Sequence, residues 1–352
     1  MVIYCQKNLQ ICRMEDFMID KIDNKMKNEL NDHAKIHDML ISGLITTADA
    51  LIMMTDLDSH KITFEKVSDE EEKLEDIMKE LDELIGLSKV KNLVKEIQAF
   101  SEIQRKRAEE KLLAEPQVLH MIFKGNPGTG KTTVARLLGK IFKHIGILEK
   151  GHTVEVERAD IVGEYIGHTA QKTRDQIKRA RGGILFIDEA YSLARGGEKD
   201  FGKEAIDTLV KAMEDYKDDL IVILAGYKDE MDWFLQINPG LRSRFPIQIE
   251  FNDYSVDELM QIAKMMAEKR QYRFSPEALL QFEDILQSSM DNMFYNKLGN
   301  ARLVRNMIEK AIRRQALRLV SQSKISRISR EDLLQIEPED IPVDISEFGG
   351  GH

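Results

Sequence analysis

Val118-Leu119-His120-Met121-Ile122-Phe123 runs into Gly125-Asn126-Pro127-Gly128-Thr129-Gly130-Lys131-Thr132, then into Thr133-Val134-Ala135-Arg136-Leu137-Leu138-Gly139-Lys140-Ile141-Phe142. An apolar run, a glycine-rich turn and a helical pattern, in that order, are the context in which G-x-x-x-x-G-K-[ST] reads as a phosphate-binding loop. The glycines let successive backbone N–H groups turn inward, and the N-terminus of the helix adds positive potential. Asn126, Pro127, Gly128, Thr129 and Gly130 form the cradle, and Thr133 stands on the first helical turn. Lys131 has the reach for the β- and γ-phosphates of ATP, and the Thr132 hydroxyl is suited to Mg²⁺.

Outward from this stretch, short apolar runs alternate with helical patterns. Leu119–Phe123, Val154–Glu157, Ile184–Asp188, Leu220–Ala225 and Ile247–Phe251 read as strands. Thr132–Ile145, Thr169–Arg181, Lys203–Tyr216 and the short Asp229–Leu235 read as the helices between them. This βα alternation predicts an α/β domain with a central five-stranded parallel sheet covered on both faces. After Phe251 the strand signals stop. Ser255–Arg270, Pro276–Ser289, Ala301–Ser321 and a short segment near Arg330–Ile336 predict an all-helical lid, with Ser255 and Ser275 as N-caps.

Hydrolysis needs a positioned Mg²⁺ and an activated water. Ile184-Leu185-Phe186-Ile187 ends in Asp188-Glu189, two carboxylates at the carboxyl edge of the sheet, where α/β sites form. Asp188 is suited to hold Mg²⁺ through its water shell and Glu189 to polarise the attacking water. Asn238-Pro239-Gly240-Leu241-Arg242-Ser243-Arg244-Phe245 precedes the fifth strand. One or both of its arginines can reach the γ-phosphate of a neighbouring subunit, Arg244 as first choice and Arg242 as second. Gly299-Asn300-Ala301-Arg302 puts Arg302 at a helix start, from which it can fold over the phosphates and couple nucleotide state to the angle between domains.

The 352 residues carry a formal net charge of −10, with 42% hydrophobic and 32% charged residues. That acidity and the lack of a long basic tract argue against a nucleic-acid partner. The most apolar long segment, Met39 to Met54, is too short and polar to span a bilayer, and no signal peptide is evident, so a membrane is not expected and the location is read as cytoplasmic. Cys5 and Cys12 read as free thiols of a reducing compartment. Residues 1–75 mix charges and apolar residues at helix-like spacing and are taken as a helical extension for a partner or for regulation. The remaining expected divisions are 76–251 for the α/β domain with its entering helices, 252–340 for the lid and 341–352 for a disordered tail.

Together these motifs resemble the AAA+ ATPases. The resemblance is close at Ala159-Asp160-Ile161-Val162-Gly163-Glu164-Tyr165-Ile166-Gly167-His168-Thr169, in the run from Gly183 to Gly202, and in Asn238–Phe245. There it is similar to the branch holding stage V sporulation protein K and the red-type Rubisco activases. It covers about residues 80 to 340. It implies a homo-oligomeric ring, a hexamer, with ATP at each subunit interface and a central pore. Tyr165-Ile166-Gly167 matches the pore loop that grips a polypeptide, and Ala194 to Asp200 a second pore loop. Gly86 and Leu87 fall where the family's adenine pocket begins. At the end of the fourth strand, Tyr227 stands where related ATPases usually carry a nucleotide-sensing Asn, a trait shared with this branch.

The resulting expectation is an ATP-hydrolysing motor that remodels a client protein by pulling polypeptide through the pore. Two alternatives stay open: a nucleotide-gated scaffold that assembles with little turnover, and a nucleic-acid motor of the same fold, against which the acidic balance weighs.

Overall fold

The computed structural model describes residues 73–114, 117–165, 167–195, 201–290, 299–322 and 328–342. The expected helical extension with its two cysteines, Ile166, residues 196–200 of the second expected pore loop and the tail beyond residue 342 lie outside the described residues.

Two helices lead in, α1 (Leu74–Glu83) and α2 (Ser88–Glu109), parted by Gly86 and Leu87 at φ 68° and 56°. Then strands and helices alternate: β1 (Met121–Gly125), α3 (Lys131–His144), β2 (Thr153–Val156), α4 (Arg158–Ile161), α5 (His168–Ala180), β3 (Gly183–Ile187), α6 (Gly202–Asp215), β4 (Leu220–Gly226), α7 (Lys228–Ile237), α8 (Pro239–Arg242) and β5 (Ile247–Phe251). The five strands lie in the order β2-β3-β4-β1-β5, every neighbouring pair parallel.

Strand periodicity explains the layers, because successive side chains leave a strand on opposite faces. Ile122, Leu185, Ile187, Val222 and Leu224 pack into one core with Ile177, Leu209 and Phe234 from α5, α6 and α7. Their alternates Phe123, Ile184, Phe186 and Ile223 pack into a second core with Val94, Leu138 and Phe142 from α2 and α3. Both faces are covered, so the central strands β3 and β4 carry no polar side chain, whereas the edge strands β2 and β5 also carry exposed residues. Strand boundaries move from the sequence reading: β1 starts and stops two residues later, β2 and β3 start and stop one residue earlier, so that Asp188 lies just past β3, and β4 runs one residue further. The Asp188 N–H still closes the ladder on the Val156 carbonyl at 3.0 Å, which leaves its side chain at the sheet edge.

His120, one residue before β1, is 3% exposed. Its Nδ1 accepts the Val222 N–H at 3.1 Å, so the ring takes over a backbone pairing. Burial lowers its pKa to about 4, partly offset by a backbone hydrogen bond to Met213. The folded protein therefore holds His120 neutral, whereas the unfolded chain takes up a proton below about pH 6.5. Stability is full above that pH and falls as pH drops towards 4, by up to about 3 kcal/mol from this group. Urea melts at pH 7 and pH 5 should show the loss, and it should shrink in His120→Asn.

The lid comprises α9 (Val256–Lys269), β6 (Arg273–Phe274), α10 (Pro276–Met290), α11 (Asn300–Gln322), α12 (Arg330–Leu334) and β7 (Gln335–Ile336). Ser255 caps α9 by accepting the Glu258 N–H at 3.2 Å, and Ser275 accepts the Ala278 N–H at 3.2 Å. Leu259, Phe282, Leu303, Val304 and Met307 form its core. The lid departs from the all-helical expectation at one place. Residues 335 and 336, expected to finish a helix, pair in parallel with Arg273 and Phe274. The Gln315 amide explains the early stop: it donates to the carbonyls of Asp332, Leu333 and Gln335, which a continuing helix would use itself. Among the described residues, no helix is long and apolar enough to cross a membrane.

Candidate nucleotide site

The carboxyl ends of β1, β3 and β4 and the start of α11 meet at one edge of the sheet. The turn between β1 and α3 is the predicted phosphate loop. Gly128 and Gly130 adopt φ 74° and 96°, which L side chains rarely take. A Cβ on Gly128 would also lie 2.3 Å from the Gly299 carbonyl oxygen and 2.9 Å from the Arg302 nitrogen, so the lid helix starts directly against the loop. The Thr129 hydroxyl donates to the Asn126 carbonyl at 2.8 Å and holds the turn.

Lys131, half-buried at the start of α3, donates to the carbonyls of Gly125 and Asn126, both at 2.8 Å. Burial lowers its pKa from the ordinary lysine value, and the nearby Arg302 guanidinium acts in the same sense. The carboxylates of Asp188, Asp253 and Glu189 oppose both. One ammonium thus feels charges from two strand ends and from the lid.

Asp188 is half-buried and accepts the Glu189 N–H on Oδ1 at 3.0 Å. Glu189 is exposed at φ 46°. A glutamate in the left-handed region costs about 1 kcal/mol or more, and such strain persists where function requires the side chain's placement. Tyr227 follows β4 directly. Burial raises its pKa, and Glu189, Glu230 and Asp188 add to the rise while Arg302 opposes it, so the phenol feels several of the charges that act on Lys131. Its ring lies 6.0 Å from that of the buried Tyr191. Leu87 also borders the loop, since a Cβ on Gly130 would sit 3.8 Å from Leu87 Cδ1. Gly86 faces the lid, where its Cβ would meet Glu258 Oε1 at 2.9 Å.

The remaining candidates lie apart from this group. Arg244 makes an ion pair with Glu214 and donates to the Gly240 carbonyl at 2.9 Å. Arg242, at the end of α8, is exposed. Tyr165 is 66% exposed and stacks edge-on with His168 at 5.5 Å. A second set of residues escaped the sequence reading. Asp253, Tyr254 and Asn300 join the lid to the loop through side-chain hydrogen bonds. The only trace in the sequence is a polar Asn252-Asp253 directly after an apolar strand, at the sheet edge where sites form.

Chemically, the arrangement fits a nucleoside triphosphate with Mg²⁺. The two carbonyls on the Lys131 ammonium occupy donor capacity that phosphate oxygens would use. Loop N–H groups, an ammonium and a guanidinium suit polyanion binding, and an Asp after β3 and a hydroxyl at Thr132 on the first turn of α3 are oxygen donors of the kind a hard cation takes.

The profile of the ATPase family associated with various cellular activities (AAA) matches residues 121–253, and that of the AAA lid domain matches residues 255–349. Stage V sporulation protein K of Bacillus subtilis (strain 168) is 57% identical over 270 residues, which cover 77% of this chain and 83% of that protein. The chloroplastic ribulose bisphosphate carboxylase/oxygenase activase of Cyanidioschyzon merolae is 45% identical over 270 residues, covering 76% and 91%. Protein CfxQ of Xanthobacter flavus is 46% identical over 271 residues, covering 75% and 84%. With a loop–helix phosphate cradle, paired carboxylates at the end of β3 and a lid that touches the loop, the chain belongs to the AAA ATPases, in the group that includes stage V sporulation protein K and the CfxQ proteins.

Proposed function

We propose that this chain hydrolyses ATP in a hexameric ring of its own copies, in the cytoplasm, and uses the turnover to pull a client polypeptide through a central pore. The observation that carries the ATPase reading is the phosphate loop itself, with Gly128 and Gly130 at positive φ, Lys131 at the start of α3 and the lid helix seated against the turn. Gly128, Thr129, Gly130, Lys131 and Thr133 hold the phosphates, while Gly86 and Leu87 border the base. Thr132 and Asp188 hold Mg²⁺, which when bound supplies charge neutralisation across the phosphates. Glu189 takes a proton from the attacking water, Tyr227 at the end of β4 takes the place of the nucleotide sensor, and Arg302 stabilises charge from the lid. Arg244 of the adjacent subunit, with Arg242 as the alternative, completes the site.

Tyr165 supports the pulling role. A two-thirds exposed aromatic beside Gly163 and Gly167 gains nothing from core packing, yet offers a face that grips unrelated sequences alike. The identity is higher to stage V sporulation protein K than to the activase, so sporulation is the first setting in which to seek the client.

ATPase rate per subunit is measured against protein concentration. A specific rate that rises with concentration supports an interface-completed site. A flat, negligible rate with intact ATP binding favours the scaffold alternative. Tyr165→Ala should keep assembly and basal hydrolysis but lose at least tenfold of client-stimulated turnover. Unchanged stimulation would remove the pore-loop assignment.

A further inference from the structure

Asp253, at the exit of β5, accepts the Asn126 amide of the phosphate loop at 3.0 and 2.8 Å and the Asn300 amide of the lid at 2.7 Å. Asn300 is only 2% exposed, and its side chain is satisfied from both sides. Its Oδ1 accepts the Tyr254 N–H at 3.0 Å, and its Nδ2 also reaches the Pro127 carbonyl of the loop at 3.3 Å. One residue on, the Ala301 N–H donates to the Gly128 carbonyl at 3.2 Å. The next residue is Arg302.

We propose that Asn126, Asp253 and Asn300 form a relay from the phosphate loop to the lid, with Asp253 as the positioning residue that sets where Arg302 stands. The inference rests on the nucleotide site proposed above. Its physical basis is the absence of slack. Gly128 and Gly299 touch through their backbones with no room for a Cβ, so loop and helix start move together. Lys131 holds the Asn126 carbonyl, and the Asn126 side chain holds Asp253. Phosphates that draw the ammonium off that carbonyl release Asn126, and Asp253 passes the change to Asn300 and so to Arg302. Asp253 itself is exposed, so its substitution costs the fold little.

Spatial intermediacy does not demonstrate coupling, so the test is a double-mutant cycle. Asp253→Asn, Arg302→Gln and the pair are measured for kcat and for the ATP dissociation constant. An asparagine at 253 keeps the shape but presents a donor to one of the two amides, and breaks one link. The expected result is a loss on the order of tenfold for Asp253→Asn, with the pair no worse than Arg302→Gln alone. Losses that multiply, wild-type values for Asp253→Asn, or no effect of Arg302→Gln would each overturn the relay. A merely structural role would lower the melting temperature and would multiply. Asn126→Ala, which leaves the lid contacts of Asp253 in place, serves if Asp253→Asn fails to fold, and must show the same non-additivity with Arg302→Gln. Wild-type ATP binding and its loss in Lys131→Ala are measured alongside. If that binding is absent, the nucleotide reading and the relay fall together; if it is present and the losses multiply, only the relay falls.

Discussion

Arg244→Ala is expected to lower ATP turnover by ~10³–10⁵-fold, the range in which a guanidinium supplied to the γ-phosphate acts, while the altered subunit binds ATP as before. Within its own chain, Arg244 pairs with Glu214 near the surface, the two side chains 32% and 61% exposed. Such a pair contributes about 1 kcal/mol at most, so the fold should survive and the loss should be catalytic. Glu214→Gln separates the two roles. If Arg244 matters only through the ion pair, Glu214→Gln must be as inactive as Arg244→Ala. If it serves a neighbouring site, Glu214→Gln retains turnover. Mixing adds a direct assay of action between subunits. Arg244→Ala and Glu189→Gln are each inactive alone. In a mixed ring, the intact Glu189 of one subunit meets the intact Arg244 of the next, and part of the activity should return. No recovery on mixing, with both proteins folded and assembled, would count against an arginine supplied in trans.

The second large effect is expected for Glu189→Gln: a loss of ~10²–10⁴-fold in turnover, the usual weight of a general base, with ATP affinity kept. The substitution is conservative in the respects the fold demands. Glutamine has the length and shape of glutamate and accepts the same backbone at φ 46° with no added Cβ branching. What it lacks is the charge that takes a proton from water. Stopped turnover with retained binding would make this variant a trap for the client. Equal hydrolysis by variant and wild type would remove Glu189 from the chemistry and favour the scaffold reading. Measured ATP affinity separates this result from damage to the phosphate loop, where loss of the Lys131 ammonium acts on binding itself.

The chain's own pattern carried the reading a long way, for local reasons. Phe123 and Ile223 face one core while Ile122 and Val222 face the other, and that alternation needs no tertiary information beyond a sheet covered on both sides. The Gly128 and Gly130 conformations follow from a loop that must turn its N–H groups inward, and Asp188-Glu189 follows from an apolar strand that ends in carboxylates. The β6–β7 pair was not legible. Two residues carry no period, and Gln315, which ends the preceding helix, lies in a different element. Asp253 and Asn300 were missed for a related reason. Each is an ordinary polar residue at an element boundary, and their meaning appears only when positions 126, 253 and 300 meet.

By itself, then, the sequence determined the parallel sheet, the phosphate loop and the carboxylates at the end of the third strand, because each is written in residues adjacent along the chain and enforced by backbone geometry or side-chain period. Tertiary structure alone decided which charges surround Lys131, that Arg244 rests on Glu214, and that the lid grips the loop through Asp253 and Asn300. Those are through-space pairings between elements far apart in the chain, selected by how the sheet edge and the lid pack together.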